Sequence, residues 1–160
     1  TSSAPEAARE AFLDDLARLH SDALRASQGA RQMVLIGGDF NASLGVRTDA
    51  TPQELRKLLG PWGLHCDGNR CDSWQALREF MAVHDMRATG TFFEKRRYAT
   101  WYHPGSDRVG YNPDHWLCQR AHCKWVQDVS VRPCMSLDSD HTAVMLTVAV
   151  RGLSVPCNRD

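Results

Sequence analysis

The chain has no apolar run approaching the roughly 18 residues that a membrane-spanning helix requires, and it provides no such transmembrane segment. It also lacks an excess of either charge, since 19 Lys and Arg stand against 19 Asp and Glu. That balance excludes a global basic field, so any grip on nucleic acid has to be local. Internal repeats and low-complexity segments are missing as well, and 160 residues form one domain long enough to bury a sizeable core. The opening Thr1-Ser2-Ser3-Ala4-Pro5 is no signal peptide, which favours an intracellular over a secreted setting. With no Met at position 1, the expectation is a processed chain or a fragment.

Cysteine is what the chain has in plenty. Cys66 with Cys71 and Cys118 with Cys123 share a C-x4-C spacing, and Cys134 and Cys157 stand apart. Tight zinc knuckles use C-x2-C, although His65 and His122 lie near the two pairs. A disulfide framework suits smaller secreted domains. Buried free thiols are the expectation.

Taken in order, the chain opens with a helix capped by Ser3, with Pro5 and Glu6 in its first turn. Phe12, Leu16, Leu19 and Ala23 follow the spacing of one buried stripe. Thr51-Pro52-Gln53-Glu54 reads as a capping box before a short helix carrying Leu55, Leu58 and Leu59. A third helix starts near Asp72 and presents Trp74, Leu77, Phe80 and Met81 to a core. From Met86 the period changes to two. The expected strands are Met86–Thr91, Ala99–His103, His115–Cys118, Val126–Val131 and Thr142–Val150, the last apolar on both faces and so expected to be covered on both.

The stretch Val34-Leu35-Ile36-Gly37-Gly38-Asp39-Phe40-Asn41 organises the rest. Its apolar residues predict a short buried central strand, its glycines a sharp turn, and Asp39 and Asn41, two apart, one shared face at the strand end. A carboxylate there can take a proton or hold a cation, and a carboxamide can bind a phosphoryl oxygen. An Asx turn accounts for the same residues without any chemistry. Three further clusters fall on strand boundaries: Asp138-Ser139-Asp140-His141 before the final strand, Asp114-His115 opening another, and the basic turn Lys95-Arg96-Arg97 between Phe92-Phe93 and Tyr98-Ala99-Thr100-Trp101. Singly, each has an ordinary structural account. In this order they form a specific pattern.

That pattern resembles the endonuclease/exonuclease/phosphatase superfamily, and within it the apurinic-type endonuclease domains of non-LTR (LINE-type) retrotransposons and their domesticated relatives. The residues carrying the resemblance are Gly38-Asp39-Phe40-Asn41, Thr91-Phe92-Phe93, Thr100-Trp101-Tyr102-His103-Pro104, Pro113-Asp114-His115-Trp116-Leu117 and Ser139-Asp140-His141, over a span from the first helix to Val150. The resemblance implies an α/β fold with a β-sheet and flanking helices, like the C-terminal half of a four-layer β-sandwich. It implies that Asp39 activates the attacking water and that Asn41 binds the scissile phosphate. His141 would stabilise charge on phosphorus, Asp114 would orient that imidazole, and Asp140 would be a metal-site acid. The cofactor implied is Mg2+ or Mn2+, which suits carboxylates and water. Lys95, Arg96 and Arg97 are the candidate nucleic-acid contacts.

Two departures shape the expectation. Family members carry an upstream strand Asn and a metal-binding strand Glu, and residues 1–33 offer neither, since Glu6 and Glu10 fall in the amphipathic helix. Pro113 stands where an aliphatic strand residue is usual and removes a backbone donor beside Asp114. Residues 1–151 are therefore expected to form a partial domain and 152–160 a tail, with one apolar sheet face left for a protein partner. Two readings follow. One is a metal-dependent phosphodiesterase incomplete on this chain and inactive alone, with nucleic acid as its partner if active; the other is a non-catalytic, retroelement-derived subunit of a larger assembly with no cofactor.

Overall fold

A computed structural model describes residues 6–26, 33–64, 72–105, 110–132 and 139–149. The Ser3 cap, Cys66, Cys71, Cys134, Cys157 and the C-terminal tail lie outside the described residues. Helix α1 spans Glu6–Ala26, strand β1 Leu35–Asp39, the single turn α2 Gln53–Arg56 and helix α3 Asp72–Val83. Short strands follow: β2 (Met86–Ala88), β3 (Trp101–Tyr102) and β4 (Gly110–Tyr111), then β5 (Asp114–Gln119), β6 (Val126–Arg132) and β7 (Ala143–Val148). Two 3-10 segments, Thr89–Phe92 and Arg120–Trp125, connect them.

All strand pairing is antiparallel. β5 lies between β1 and β2, β3 pairs with β4, and β6 pairs with β7. The strand of the glycine-aspartate stretch is therefore an edge of its described sheet, and the alternating strand Asp114–Gln119 is the centre. Alternation along the paired strands sorts their side chains into two cores. Ile36 and Leu117 face the helices and join Leu58, Leu59, Leu77, Phe80, Met81 and Met86. Leu35, Trp116 and Cys118 face the other way, against Val129, Val144, Leu146 and Val148 of the β6–β7 pair. A sheet covered by helices on one side and by a second sheet on the other results. Each fully buried Leu contributes about 1.5–3 kcal/mol of transfer free energy.

Several expectations need correction. The buried stripe of α1 is Leu13, Leu16, Ala17 and His20, while Phe12 and Leu19 are 50% and 63% exposed. His20 takes the fourth core place although it is polar, and neither of its ring nitrogens has a hydrogen-bond partner among the described residues. It packs edge-on against His84 at 5.0 Å, and burial lowers the pKa of both rings. Thr51 makes no capping box: its hydroxyl turns back to accept the backbone N–H of Thr48 at 2.8 Å. The strand expected over Met86–Thr91 stops at Ala88 because Thr89 turns aside, its hydroxyl donating to the Trp116 carbonyl at 2.8 Å. β7 buries one face only, with Val144, Leu146 and Val148 inward and Met145 55% exposed.

The glycines act differently from a tight turn. Gly37 and Gly38 both lie within β1, and neither has positive φ. The Trp116 ring lies across Gly37, where a Cβ would come within 2.5 Å of it. The change of direction comes instead at Asn41, with φ of 49°.

Thr91, in the Thr91-Phe92-Phe93 block, is a structural lock. Its hydroxyl donates to the Ala88 carbonyl at 2.7 Å and accepts the Gly60 N–H at 2.7 Å, while its carbonyl accepts Trp62 N–H at 3.0 Å. A Cβ on Gly60 would sit 2.0 Å from that carbonyl oxygen, with backbone on both sides of the collision. Gly60→Ala is expected to destabilise by about 3 kcal/mol or more. Gly38→Ala, with nothing within 4 Å of the new Cβ, is expected to stay within about 1 kcal/mol of the parent. Urea unfolding of the two variants checks the contrast, and equal shifts would refute it.

Candidate active site

The register of β1 against β5 sets Asp39 directly opposite Asp114, at the mouth of the sheet. Phe40 continues the pairing through its N–H, which donates to the Pro113 carbonyl at 3.0 Å. Pro113 therefore supplies the acceptor half of this pair, while its ring removes the donor of the return bond to Phe40, and the ladder ends with Asp114 still opposite Asp39. Asn41 then turns, and its N–H donates to Asp39 Oδ1 at 2.8 Å. The Asx turn is thus real, and it fixes the carboxylate rather than consuming it, because Oδ2 remains directed at His141. Asp39 and Asn41 do not share a strand face, since Asn41 lies past the strand in the left-handed region.

His141 enters from the segment preceding β7. Its backbone bridges Trp101 of β3, the Thr142 N–H donates to the Thr100 carbonyl at 2.6 Å, and Ser139 Oγ accepts the His141 N–H at 3.1 Å. These contacts leave the imidazole among three acids. Nδ1 lies 2.9 Å from Asp114 Oδ2, so Nδ1 is assigned the proton that it donates there. Nε2 then faces Asp39 Oδ2 at 3.9 Å and Asp140 Oδ1 at 4.0 Å. Burial disfavours charge on the ring, but the Asp114 hydrogen bond and the charges of Asp114, Asp39 and Asp140 outweigh it and raise the His141 pKa. Trp101 Nε1–H donates to Asp140 Oδ2 at 2.8 Å, and that bond chiefly lowers the exposed Asp140 carboxyl.

Asp39, Asp114, Asp140 and His141 therefore meet at one end of the sheet, with Asn41 joined to them through its N–H on Asp39. Asp114 and His141 line a cleft of about 330 Å³ together with Gly37, Gly38, Trp116 and Val144. The basic trio behaves otherwise. It lies in a loop after a 3-10 segment, not at a strand-to-strand tip, and only Arg96 and Arg97 are exposed. Lys95 turns inward over the Tyr98 ring at 5.4 Å, and burial, opposed by Asp128, lowers its pKa to about 8.

Two supporting residues escaped the sequence reading. His115 is buried, with Nε2 2.7 Å from the Ala42 carbonyl, and burial lowers its pKa to about 4. As a neutral ring it donates that Nε2–H and ties β5 to the chain just past Asn41. The Trp101 indole was legible as an aromatic beside a basic loop, but nothing in its spacing pointed to an acid 39 residues away.

Asp39, Asp114 and His141 bring one potential ligand atom each within 4.8 Å of one another, a grouping that Asp140 does not join. Since His141 Nδ1 is committed to Asp114, this trio is better described as an oriented imidazole beside an acid than as a closed metal cage. Asp39 and Asp140 each present one carboxylate oxygen toward His141 Nε2, and carboxylate oxygens are the donors a hard divalent cation takes.

No protein-family model and no curated protein sequence matches the chain. Among solved structures it is similar to the 3′ phosphatase NExo from Neisseria, determined with a product DNA hairpin, at a TM-score of 0.52 and 17% identity. The match covers 82% of this chain and 51% of that one, so the chain spans about half the length of its structural relative. The likeness is one of fold: antiparallel sheets with flanking helices.

The His141 environment is directly measurable. A folded pKa raised above 6.5 means that the ring's charge stabilises the fold fully below that pH, a contribution lost as pH rises through the folded value. In Asp114→Asn the hydrogen-bonded charge is gone, and the His141 titration observed by NMR is expected to move down. An unchanged midpoint would show that Asp114 does not set the ring's charge.

Proposed function

We propose that the chain carries the C-terminal part of a divalent-metal-dependent phosphodiesterase site of the endonuclease/exonuclease/phosphatase type, acting on nucleic acid. The observation that carries this reading is the His141 imidazole, hydrogen-bonded to Asp114 at 2.9 Å and faced by Asp39 and Asp140 at 3.9 and 4.0 Å. The fold likeness to a DNA-processing phosphatase supports it, as does the order of the motifs that resemble LINE-type endonucleases.

In this reading Asp39 accepts a proton from the attacking water, with Asn41 beside it as the carboxamide for a phosphoryl oxygen. His141, kept cationic by its three acids, donates Nε2–H to oxygen atoms that gain charge as phosphorus becomes five-coordinate. Asp114 holds the ring in that orientation. Asp140 would hold part of the shell of a Mg2+ or Mn2+ ion, which would neutralise phosphate charge when bound. One acid is a thin shell for such an ion, which supports placing its remaining ligands in residues N-terminal to these, on the same polypeptide or on another.

The exposed pair Arg96 and Arg97 are the proposed phosphate contacts, with Lys95 held inward. Replacing both by Gln is expected to reduce the slope of log affinity against log salt by about two for duplex DNA. An unchanged slope would remove the loop from the interface. A second reading, a non-catalytic subunit of a larger assembly, is favoured by the apolar side chains left open on α1, α3 and β7: Phe12, Leu19, Val83 and Met145.

Cleavage decides between them. With Mg2+, the 160-residue chain alone is expected to leave labelled duplex DNA intact, and the protein extended by an N-terminal half-domain that carries the strand Asn and Glu is expected to cut it. Asp39→Asn or His141→Ala in the extended protein should then slow cutting about 100-fold or more. Cutting by the 160 residues alone would overturn the divided site. A folded, extended protein that stays inert while co-purifying with an assembly would establish the subunit reading.

A further inference from the structure

Cys118 and Cys123 stand apart from the cleft, at the far end of β5 from Asp114. Cys118 is fully buried, paired in register with Leu35 on one side and Arg87 on the other. After Gln119 the chain turns through the 3-10 segment and carries Cys123 back over the strand end. Cys123 Sγ then lies 3.6 Å from the Cys118 carbonyl and 3.4 Å from that of Gln119, and Cys118 Sγ lies 3.4 Å from the same Gln119 oxygen. The two sulfurs converge on one carbonyl oxygen, each 3.4 Å from it. Both are free thiols, with Cys123 partly open and Cys118 closed.

The pair is also asymmetric. The Cys118 hydrogen bond to the Cys123 sulfur, and behind it the Arg87 guanidinium, favour the thiolate at Cys123 and lower its pKa. Sharing that hydrogen bond, and burial, push the Cys118 thiol up. A reachable thiolate beside a cation, next to a protected thiol, is the arrangement of a peroxide-reactive dithiol. The three-donor metal grouping among the described residues lies at Asp39, Asp114 and His141 and includes neither cysteine.

We propose that Cys118 and Cys123 form a reversible intramolecular disulfide, with Cys123 as the peroxide-reactive thiolate and Cys118 as the resolving thiol. The oxidant class is a hydroperoxide. The Cys123 thiolate attacks one oxygen of hydrogen peroxide, the O–O bond breaks, and hydroxide leaves as the sulfenic acid forms. The Cys118 sulfur, giving up its proton, then attacks the Cys123 sulfur and displaces hydroxide. Those two charges become water, the two sulfurs have lost two electrons in all, and the peroxide has gained them. A dithiol reductant reverses the change.

The sequence makes the product easy to map, because trypsin cuts after Arg120 and Lys124 and so separates the two cysteines. The 160-residue chain is treated with hydrogen peroxide, its remaining thiols are blocked with N-ethylmaleimide under denaturing conditions, and the digest is read by mass spectrometry. A peptide pair joined through Cys118 and Cys123, and lost on adding dithiothreitol, is expected. Cys118→Ser should leave Cys123 as a sulfenic acid that dimedone captures, and Cys123→Ser should leave Cys118 reduced at the same dose. Arg87→Gln should slow the reaction several-fold at pH 7, as the thiolate fraction falls. Three results would each overturn the proposal: Cys123 carried to the sulfinic acid with no linked peptide, disulfides joining either residue to Cys66, Cys71, Cys134 or Cys157, or Cys118 oxidising as fast in Cys123→Ser as in the parent. The mapping of the parent chain stands by itself if a serine variant does not fold.

Discussion

Asp114 opens β5 opposite Asp39, and its Oδ2 takes the Nδ1–H of a histidine 27 residues further along the chain. Most of the cleft depends on this bond. Antiparallel register alone brings the two acids together, because both belong to the one ladder that runs from Leu35↔Cys118 to Asp39↔Asp114. His141 belongs to no such ladder; it reaches the acids because β3 bridges it through Trp101 and because the start of β7 is tied by Trp116 Nε1–H to the Val144 carbonyl at 3.0 Å. The same Trp116 ring covers Gly37. A tryptophan on the central strand therefore both fills the second core and sets the distance between the sheet that carries the acids and the strand that carries the base.

The alternation of β5 is what lets one strand serve two cores and a site at once. Leu117 points to the helices, Trp116 and Cys118 to the second sheet, and Asp114 to the rim. A one-residue slip in register would send Leu117 to the wrong core and move Asp114 off His141 together. Packing and chemistry are thus enforced by the same ladder, which explains how Pro113 is tolerated. It stands at the end of the ladder, where only the return bond to Phe40 is lost and its carbonyl still accepts the Phe40 N–H.

Local pattern carried much of this and misled where distant contacts decide. The strands at His115–Cys118 and after Thr142 were legible from their period of two, but the one-sided burial of β7 was not, because both of its faces are largely apolar in sequence. The face of α1 was misread because two stripes share Leu16. The purely apolar one, through Phe12 and Leu19, is exposed, and the buried one passes through a histidine. Gly37 looked like a turn residue because a sequence does not show a tryptophan ring lying across it. In the candidate site, Asp39, Asp114, Asp140 and His141 were legible as strand-end acids and a base. The indole that holds Asp140 and the inward course of Lys95 were not, since both depend on partners set by tertiary packing.

Two histidines on the same sheet end show how that packing divides the chemistry. His141 and His115 start from the same intrinsic pKa, and three nearby carboxylates raise the first while burial, opposed by the hydrogen bond to the Ala42 carbonyl, lowers the second to about 4. The unfolded chain protonates both near 6.5. As pH falls through that value the folded protein gains from a charged His141 and loses from a neutral His115, which the unfolded chain would have protonated. The first effect is complete below 6.5, whereas the second keeps growing until the folded His115 itself titrates near 4. His20 and His84, also lowered by burial, add to the second. Between these limits the sheet end holds one imidazole whose charge its acids favour and one neutral imidazole that holds backbone. Both rings line the cleft, but it is His141 that is hydrogen-bonded to an acid, and its raised pKa depends on Asp114 remaining opposite Asp39.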